Sequence, residues 1–401
     1  TGGAGLARRA GRMIFVPYTI PGERVVARVT RQQGDVLNAE GVTLLDASAD
    51  RVYPVCPHFG PGRCGRCQWQ HIAYEAQLLL KQDILADQLE RVGGLKEGQI
   101  ARVLRPPIAS PEQWGYNYHM TFTVTEAGTL GLPTLDDRGV FPIDECHILH
   151  PELLALYEVL DLDLSGIRRV KLQIGTDGTP MVILMMAEDA APELEADLPA
   201  SVNLLLPDNE PVNLIGDSHS FYQIGTRAFR VTAGSYFRAN VAQIARLAGE
   251  VEALLDLPSQ AAVLDLYAGV GVFSAFLAPR ARQVTLVESY PPAVTDADDN
   301  LSDFDHIDVI EGGVEAVLPA LEDRYDAAVI DAPSQGMSAT ALDALTALDL
   351  PRFVYLSDSP ATLAREIKRL GRKGYHVTAV QPIDLAPQTY YVDSITRFEK
   401  G

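Results

Sequence analysis

Ala261-Ala262-Val263-Leu264-Asp265-Leu266-Tyr267-Ala268-Gly269-Val270-Gly271-Val272-Phe273-Ser274 is the stretch on which the fold turns. Its first six residues are an apolar run broken by one acid, the pattern of a strand covered on both faces. The glycines that follow permit a tight turn into a helix and leave backbone amides free to meet a ligand. A second apolar run, Gln283 to Val287, ends in Glu288. Strand, helix and strand in this order predict a βαβ unit and a parallel sheet with helices on its faces. Two further strands, Ala327 to Ile330 and Phe353 to Leu356, end at Asp331-Ala332-Pro333-Ser334 and Ser357-Asp358-Ser359-Pro360. Ligands of open α/β sheets bind beyond the carboxyl ends of the strands, so both tips are expected in one pocket. A carboxylate at position 288 suits ribose hydroxyls, which dinucleotides and S-adenosylmethionine (SAM) both offer. The missing G-x-G-x-x-G favours SAM.

Upstream, the text changes character. Residues 12–53 alternate apolar and polar positions with Pro21-Gly22 and Gly41 as punctuation, which predicts a small β-barrel. Residues 72–92 carry helical spacing (Ile72, Ala76, Leu79, Leu80, Ile84, Leu89, Val92) that Gly93-Gly94 ends, and His71 is expected to cap the start. From 101 to 230 the pattern is strands and turns: Met120 to Thr125, Val140 to Ile143, Val170 to Ile174, Met181 to Met186. Pro192 and Pro199 bracket an acidic stretch. The expected domains are 1–53, 54–230 and 231–401, a division that 401 residues accommodate. With 47% hydrophobic and 21% charged residues, wholesale disorder is excluded. No apolar run has membrane-spanning length and Thr1 to Gly11 has no apolar signal core, so a cytoplasmic protein without a membrane partner is expected.

The four cysteines are Cys56, Cys64, Cys67 and Cys146, three of them within twelve residues among glycines and prolines. Without a secretory signal, such clustering points to metal rather than disulfides, and four thiolates suit zinc or an iron–sulfur cluster on count alone. The net charge is −20, from 33 basic and 53 acidic residues. Residues 1–110 hold 14 basic and 10 acidic residues, so the remainder is strongly acidic. Phosphate backbones are repelled by such a surface. A nucleic-acid partner would therefore need the N-terminal quarter or a locally basic groove, and the acidity is equally compatible with a protein partner.

Taken together, these pieces resemble the SAM-dependent RNA uridine-C5 methyltransferases, a family with an N-terminal TRAM barrel and a [4Fe–4S] cluster. Ile14-Phe15-Val16-Pro17 to Pro21-Gly22-Glu23 is similar to the family's FVPxxxPGE stretch, and Cys56-Pro57 to Cys67, then Gln70-His71, to its cluster loop. Trp114-Gly115-Tyr116, Asp144-Glu145-Cys146, Ser235-Tyr236-Phe237-Arg238-Ala239-Asn240, the glycine loop, Pro360 to Glu366 and Pro387-Gln388-Thr389 continue the likeness along essentially the whole chain. The resemblance implies a multidomain protein. It would have a TRAM- or OB-like β-barrel, a central α+β domain, and a C-terminal α/β, Rossmann-like class I methyltransferase domain on which helix 72–92 packs. It implies a cluster rather than zinc on Cys56, Cys64, Cys67 and Cys146. SAM contacts would come from Arg238, Asp265, Tyr267, Gly269, Gly271, Glu288 and Asp331. The implied partner is ribosomal or transfer RNA, not DNA.

The family chemistry needs a cysteine that adds to C6 of uracil and a carboxylate that removes the C5 proton. The family's S-C-x-P reads Ser357-Asp358-Ser359-Pro360 here, and its T-x-H-V-E reads Thr389-Tyr390-Tyr391-Val392-Asp393. D-P-P-R has become Asp331-Ala332-Pro333-Ser334, and the glutamine of F-F-Q is Arg238. With all four cysteines at cluster positions, no thiol is left to act as nucleophile. The expected catalytic pair is Asp358 and Asp393, acting as bases on a heteroatom, and 5-methyluridine is not the expected product. The alternative is an inactive paralogue that binds SAM together with RNA or protein.

Overall fold

In a computed structural model, residues 2–188 and 198–401 are described; most of the acidic stretch between Pro192 and Pro199 lies outside them. The C-terminal sheet is the one predicted from the glycine-rich segment. Its strands run in the order Ile307–Glu311, Ala281–Glu288, Ala261–Leu266, Ala327–Asp331, Arg352–Ser357, Asp393–Lys400, Tyr375–Ile383. All are parallel except Asp393–Lys400, which runs against both neighbours. The chain starts in the middle and builds first to one side, then to the other. The topological switch point therefore falls beside Leu266, where a crevice opens above the strand ends.

Both faces of this sheet are covered, which explains the near-continuous apolar strands. On one side Leu247, Val251, Leu254 and Leu255 of the helix Ile244–Leu255 pack with Val263, Val329 and Val354. On the other, Leu363, Ile367 and Leu370 of the helix Pro360–Gly371 pack with Leu264, Ile330 and Phe353. Leu85 and Leu89 of the helix Tyr74–Arg91, both fully buried, enter that same core. This early helix is pinned to the C-terminal loop by charge. Lys81 donates to Asp384 (2.7 Å) and to the Ala386 carbonyl (3.0 Å), and the Tyr74 hydroxyl donates to Asp384 (2.8 Å).

The helix begins later than the apolar spacing suggested, and His71 does not cap it. Ala73 holds the N-cap position. His71 is 1% exposed, neither ring nitrogen has a hydrogen-bond partner among the described residues, and its ring packs near Tyr18 and Phe59. Burial holds the imidazole at a pKa of about 4, with the Arg51 charge adding to the effect.

The central unit is a seven-stranded sheet in the order Pro211–Ile215, Ser201–Leu205, Pro180–Met186, Ile167–Ile174, His119–Val124, Leu130–Pro133, Val140–Pro142. Its buried face (Phe122, Val170, Leu172, Leu184) packs under Tyr116, Leu153 and Cys146. The strand-rich N-terminal unit is a four-stranded sheet, Gly5–Arg9, Arg12–Val16, Val36–Asp46, Arg24–Gln33, whose two longest strands are bent by three register shifts. Among the described residues, no helix is long and apolar enough to cross a membrane.

Candidate active site

The glycine loop is built for close approach. Tyr267, Gly269 and Gly271 all lie in the left-handed region, with φ of 59°, 57° and 83°. A side chain at Gly271 would strike Leu301 Cδ1 at 2.8 Å, so that glycine serves packing. At Gly269 an added Cβ would meet nothing nearer than the Tyr236 carbonyl at 4.0 Å. Space above Gly269 is thus open to a ligand. A narrow cavity there is lined by Tyr236, Arg238, Tyr267, Gly269, Phe273 and Asp331.

Two carboxylates tie the loop to its strands. Glu288 accepts from the amides of Gly269 (2.9 Å), Ser289 (2.7 Å) and Tyr290 (2.8 Å), so it anchors the loop. Asp265 is fully buried, and its Oδ2 accepts from the amide (3.0 Å) and hydroxyl (2.7 Å) of Ser274. Its Oδ1 has no hydrogen-bond partner among the described residues. Burial drives the Asp265 pKa up to about 7; Ser274 opposes the rise, and the charges of Asp331 and Glu288 add to it.

Arg238 and Asp331, both expected to touch cofactor, engage each other. The guanidinium donates two parallel hydrogen bonds of 2.7 and 2.8 Å to the carboxylate, and the side chains are 18% and 17% exposed. Arg238 is delivered by a segment stitched between domains. Phe237 offers its carbonyl to His119 Nε2 (2.7 Å), Ala239 accepts from the Tyr118 amide (2.9 Å), and buried Asn240 donates to Ser110 (3.0 Å) and the Leu385 carbonyl (3.2 Å).

The strand ends bring the two expected catalytic residues together. Ser357 lies across from Ser394 in the last pair of the antiparallel ladder, and Asp358 and Asp393 follow at that same end of the sheet, near enough for the charge of one to act on the other. Asp358 is exposed and accepts a hydrogen bond from the Ser334 hydroxyl. Asp393 is half-buried and makes no side-chain hydrogen bond among the described residues. Burial raises its pKa to about 7. The cations Arg238 and Lys81 pull it down, while Asp358 and Asp384 push it up. A carboxylate poised near neutrality is suited to take a proton at working pH. Tyr236, 69% exposed, has the Arg238 guanidinium 6.0 Å from its ring centroid and feels the charges of Asp331, Asp393 and Asp358. The sequence reading gave Tyr236 no role, since a lone exposed aromatic has no periodic signature.

The four cysteines line one pocket with His58, Phe59 and Gln70. Burial raises all four thiols, Cys146 to about 12, and the four act on one another through their charges. Backbone amides of His58, Arg66, Ile148 and Leu149 point at Cys56, Cys64 and Cys146. Four soft donors with amide support match the donor chemistry of an iron–sulfur cluster. Among the described residues, no group of three or more His, Cys, Asp or Glu is arranged to hold a single metal ion.

A doubly wound sheet of this order, with a glycine loop and a carboxylate at the second strand tip, is that of a Rossmann-like α/β domain. No family model matches the chain. An uncharacterized RNA methyltransferase of Streptomyces avermitilis is 32% identical over 99% of this chain and 95% of its own length. One of Halalkalibacterium halodurans is 31% identical over 99% of this chain and 94% of its own. The chain belongs to this family of RNA methyltransferases. In fold it is similar to the crystal structure of Pyrococcus abyssi tRNA (uracil-54, C5)-methyltransferase in complex with S-adenosyl-L-homocysteine. The TM-score is 0.72 at 21% identity, covering 96% of this chain and 95% of that one.

Proposed function

We propose that this protein is a SAM-dependent RNA methyltransferase that transfers methyl to a base heteroatom without a covalent enzyme–RNA intermediate. One observation carries the reading: at the strand tips the group whose charge acts on Asp393 is the carboxylate Asp358, not a thiol, and all four cysteines line a separate pocket. Gly269, Tyr267, Glu288 and Asp265 would hold SAM, with Asp265 Oδ1 available to a cationic group of the ligand. SAM supplies an electrophilic methyl group when bound. Asp393 accepts the proton that the attacking atom loses, and the Arg238–Asp331 pair fixes the wall between loop and strand tips. The cysteine pocket would hold a [4Fe–4S] cluster in a structural role, tying Cys146 of the central sheet to the loop after the N-terminal sheet. Ribosomal or transfer RNA in the cytoplasm is the substrate of this reading.

The test is transfer of labelled methyl from SAM to an unmodified pool of ribosomal and transfer RNA transcripts. Label in RNA that disappears with D393N is the expected result, and no label at all ends the reading. A second reading is favoured by the closed Arg238–Asp331 and Ser334–Asp358 contacts: a paralogue that binds SAM and RNA or protein without turnover. Tight calorimetric SAM binding without label would support it.

A further inference from the structure

Asp393 closes a hairpin. It pairs with Ile383 at the end of the ladder between Tyr375–Ile383 and Asp393–Lys400, so residues 384–392 are the connecting loop. Connecting loops normally run over the surface, where water meets their backbone groups. In this one Asp384, Gln388, Thr389 and Val392 are each no more than 4% exposed. The backbone of a buried loop needs partners within the protein, and here they come from distant parts of the chain. The helix Tyr74–Arg91 supplies Gln77, fully buried, whose Oε1 accepts from the Gln388 amide (2.9 Å) and whose Nε2 donates to Gln388 Oε1 (2.9 Å). Other partners adjoin the cysteines. Just past Cys67, the Trp69 amide donates to the Gln388 carbonyl (2.9 Å), and Gln68 accepts from the Tyr390 amide (3.4 Å). Tyr116, packed with Cys146 in the central core, donates its hydroxyl to the Pro387 carbonyl (2.8 Å).

Gln388 is the point where these threads meet. Its φ is 68°, in the left-handed region. A glutamine there is strained and persists only where its surroundings over-determine it. The double amide contact with Gln77 and the bond from Trp69 are those surroundings. Gln77 in turn donates to the Ile72 carbonyl (2.9 Å), so one side chain joins the start of the helix to the hairpin loop. A shift of the cysteine segment would leave buried groups of Gln388 unpaired, which is costly, so the loop follows the segment. From Gln388 the chain runs through Val392, held in the core of the C-terminal sheet, directly into Asp393.

We infer that Gln77 and Gln388 are positioning residues for Asp393, a buried amide strut through which the filling of the four-cysteine pocket sets the loop 384–392 and the depth of the base it delivers. The inference rests on the proposed function for the role of Asp393 and for the group held by the cysteines. The test is hydrogen–deuterium exchange, read by mass spectrometry, on the full-length protein purified without oxygen and on the same protein stripped of its metal with ferricyanide and a chelator. Stripping should speed exchange at residues 384–392 by at least about tenfold, together with the cysteine loop, while the strand Ala261–Leu266 stays protected. Q77L should loosen residues 384–392 to a similar degree in protein that keeps its visible absorption.

A purely structural link would stop there, whereas a positioning link also moves the pH profile of methyl transfer. Burial is the largest influence on the Asp393 pKa and raises it, ahead of the charges of Arg238, Lys81, Asp358 and Asp384. Q77L admits water to the loop, so the midpoint should move to lower pH. Unchanged exchange at 384–392 on stripping, loosening spread equally over the whole chain, or protection of that loop in protein without any bound metal would each overturn the inference. So would a Q77L loop that stays closed or a Q77L profile that keeps its midpoint. Failure of the transferase reading is seen separately: no label in any RNA ends that reading, while the exchange results still decide the strut.

Discussion

Replacing Asp393 by Asn removes a strand-tip carboxyl group that has no side-chain hydrogen-bond partner among the described residues and a pKa near working pH. The size of the effect follows from its surroundings. Burial lifts the group to about 7 against the pull of Arg238 and Lys81. If the ionised form is the base, kcat/KM rises about tenfold per pH unit below 7 and levels above it. Between pH 5 and pH 8 that is a gain of about 90-fold. D393N should lower the rate by about 10²- to 10⁴-fold, the usual worth of a positioned base. The sign of a neighbour's effect gives a sharper test. R238Q removes a charge that lowers the Asp393 pKa, so the midpoint should move to higher pH; D358N removes one that raises it, so the midpoint should move to lower pH. The assay is initial methyl transfer from labelled SAM to the transcript pool, read at half-unit pH steps. A profile flat between pH 5 and 8, or a D393N rate within a few-fold of wild type, would refute the reasoning.

Other outcomes follow from particular contacts. G269A puts a methyl group into open space at φ 57°, so thermal unfolding should change little while calorimetric SAM affinity collapses. G271A forces Cβ to 2.8 Å from Leu301 and should destabilise the domain by about 1–3 kcal/mol in denaturant melts. K81M strands Asp384, which is 2% exposed, and should cost about 3–5 kcal/mol; K81M/D384L should recover most of it. Asp265 keeps its proton in the folded chain up to about pH 7 but loses it near 3.8 when unfolded. Its contribution to stability is therefore fully present below pH 4 and is lost as pH rises to 7, by up to about 1.4 kcal/mol per unit. D265N should flatten that slope in urea midpoints taken at pH 5 and 7. Protein purified without oxygen should be brown, and C67S should bleach it.

The C-terminal fold was legible because its signals are local. Five apolar residues around one acid, a glycine turn and a carboxylate at the next strand end are enough to specify a βαβ unit around Ala261–Leu266. The partners of the site were not legible. Arg238 and Asp331 lie 93 positions apart, and only the tertiary fold shows that two expected ligand contacts satisfy each other. The proximity of Asp358 to Asp393 depends on the return of Asp393–Lys400 antiparallel to its neighbour, a register that no spacing in the sequence encodes. His71 misled for a related reason: polar and placed just before a helix, it resembles a cap, yet the chain folds it inward against Tyr18 and Phe59.

Transfer without a covalent bond between protein and RNA is the centre of the account. A transcript carrying 5-fluorouridine at every uridine traps any enzyme that adds a nucleophile to uracil C6, because fluorine cannot be removed as a proton. Incubated with SAM and this protein, then resolved under denaturing conditions, it should give no covalent protein–RNA species while the unsubstituted transcript takes up methyl label. A SAM-dependent covalent species that vanishes with D358N would contradict the account outright.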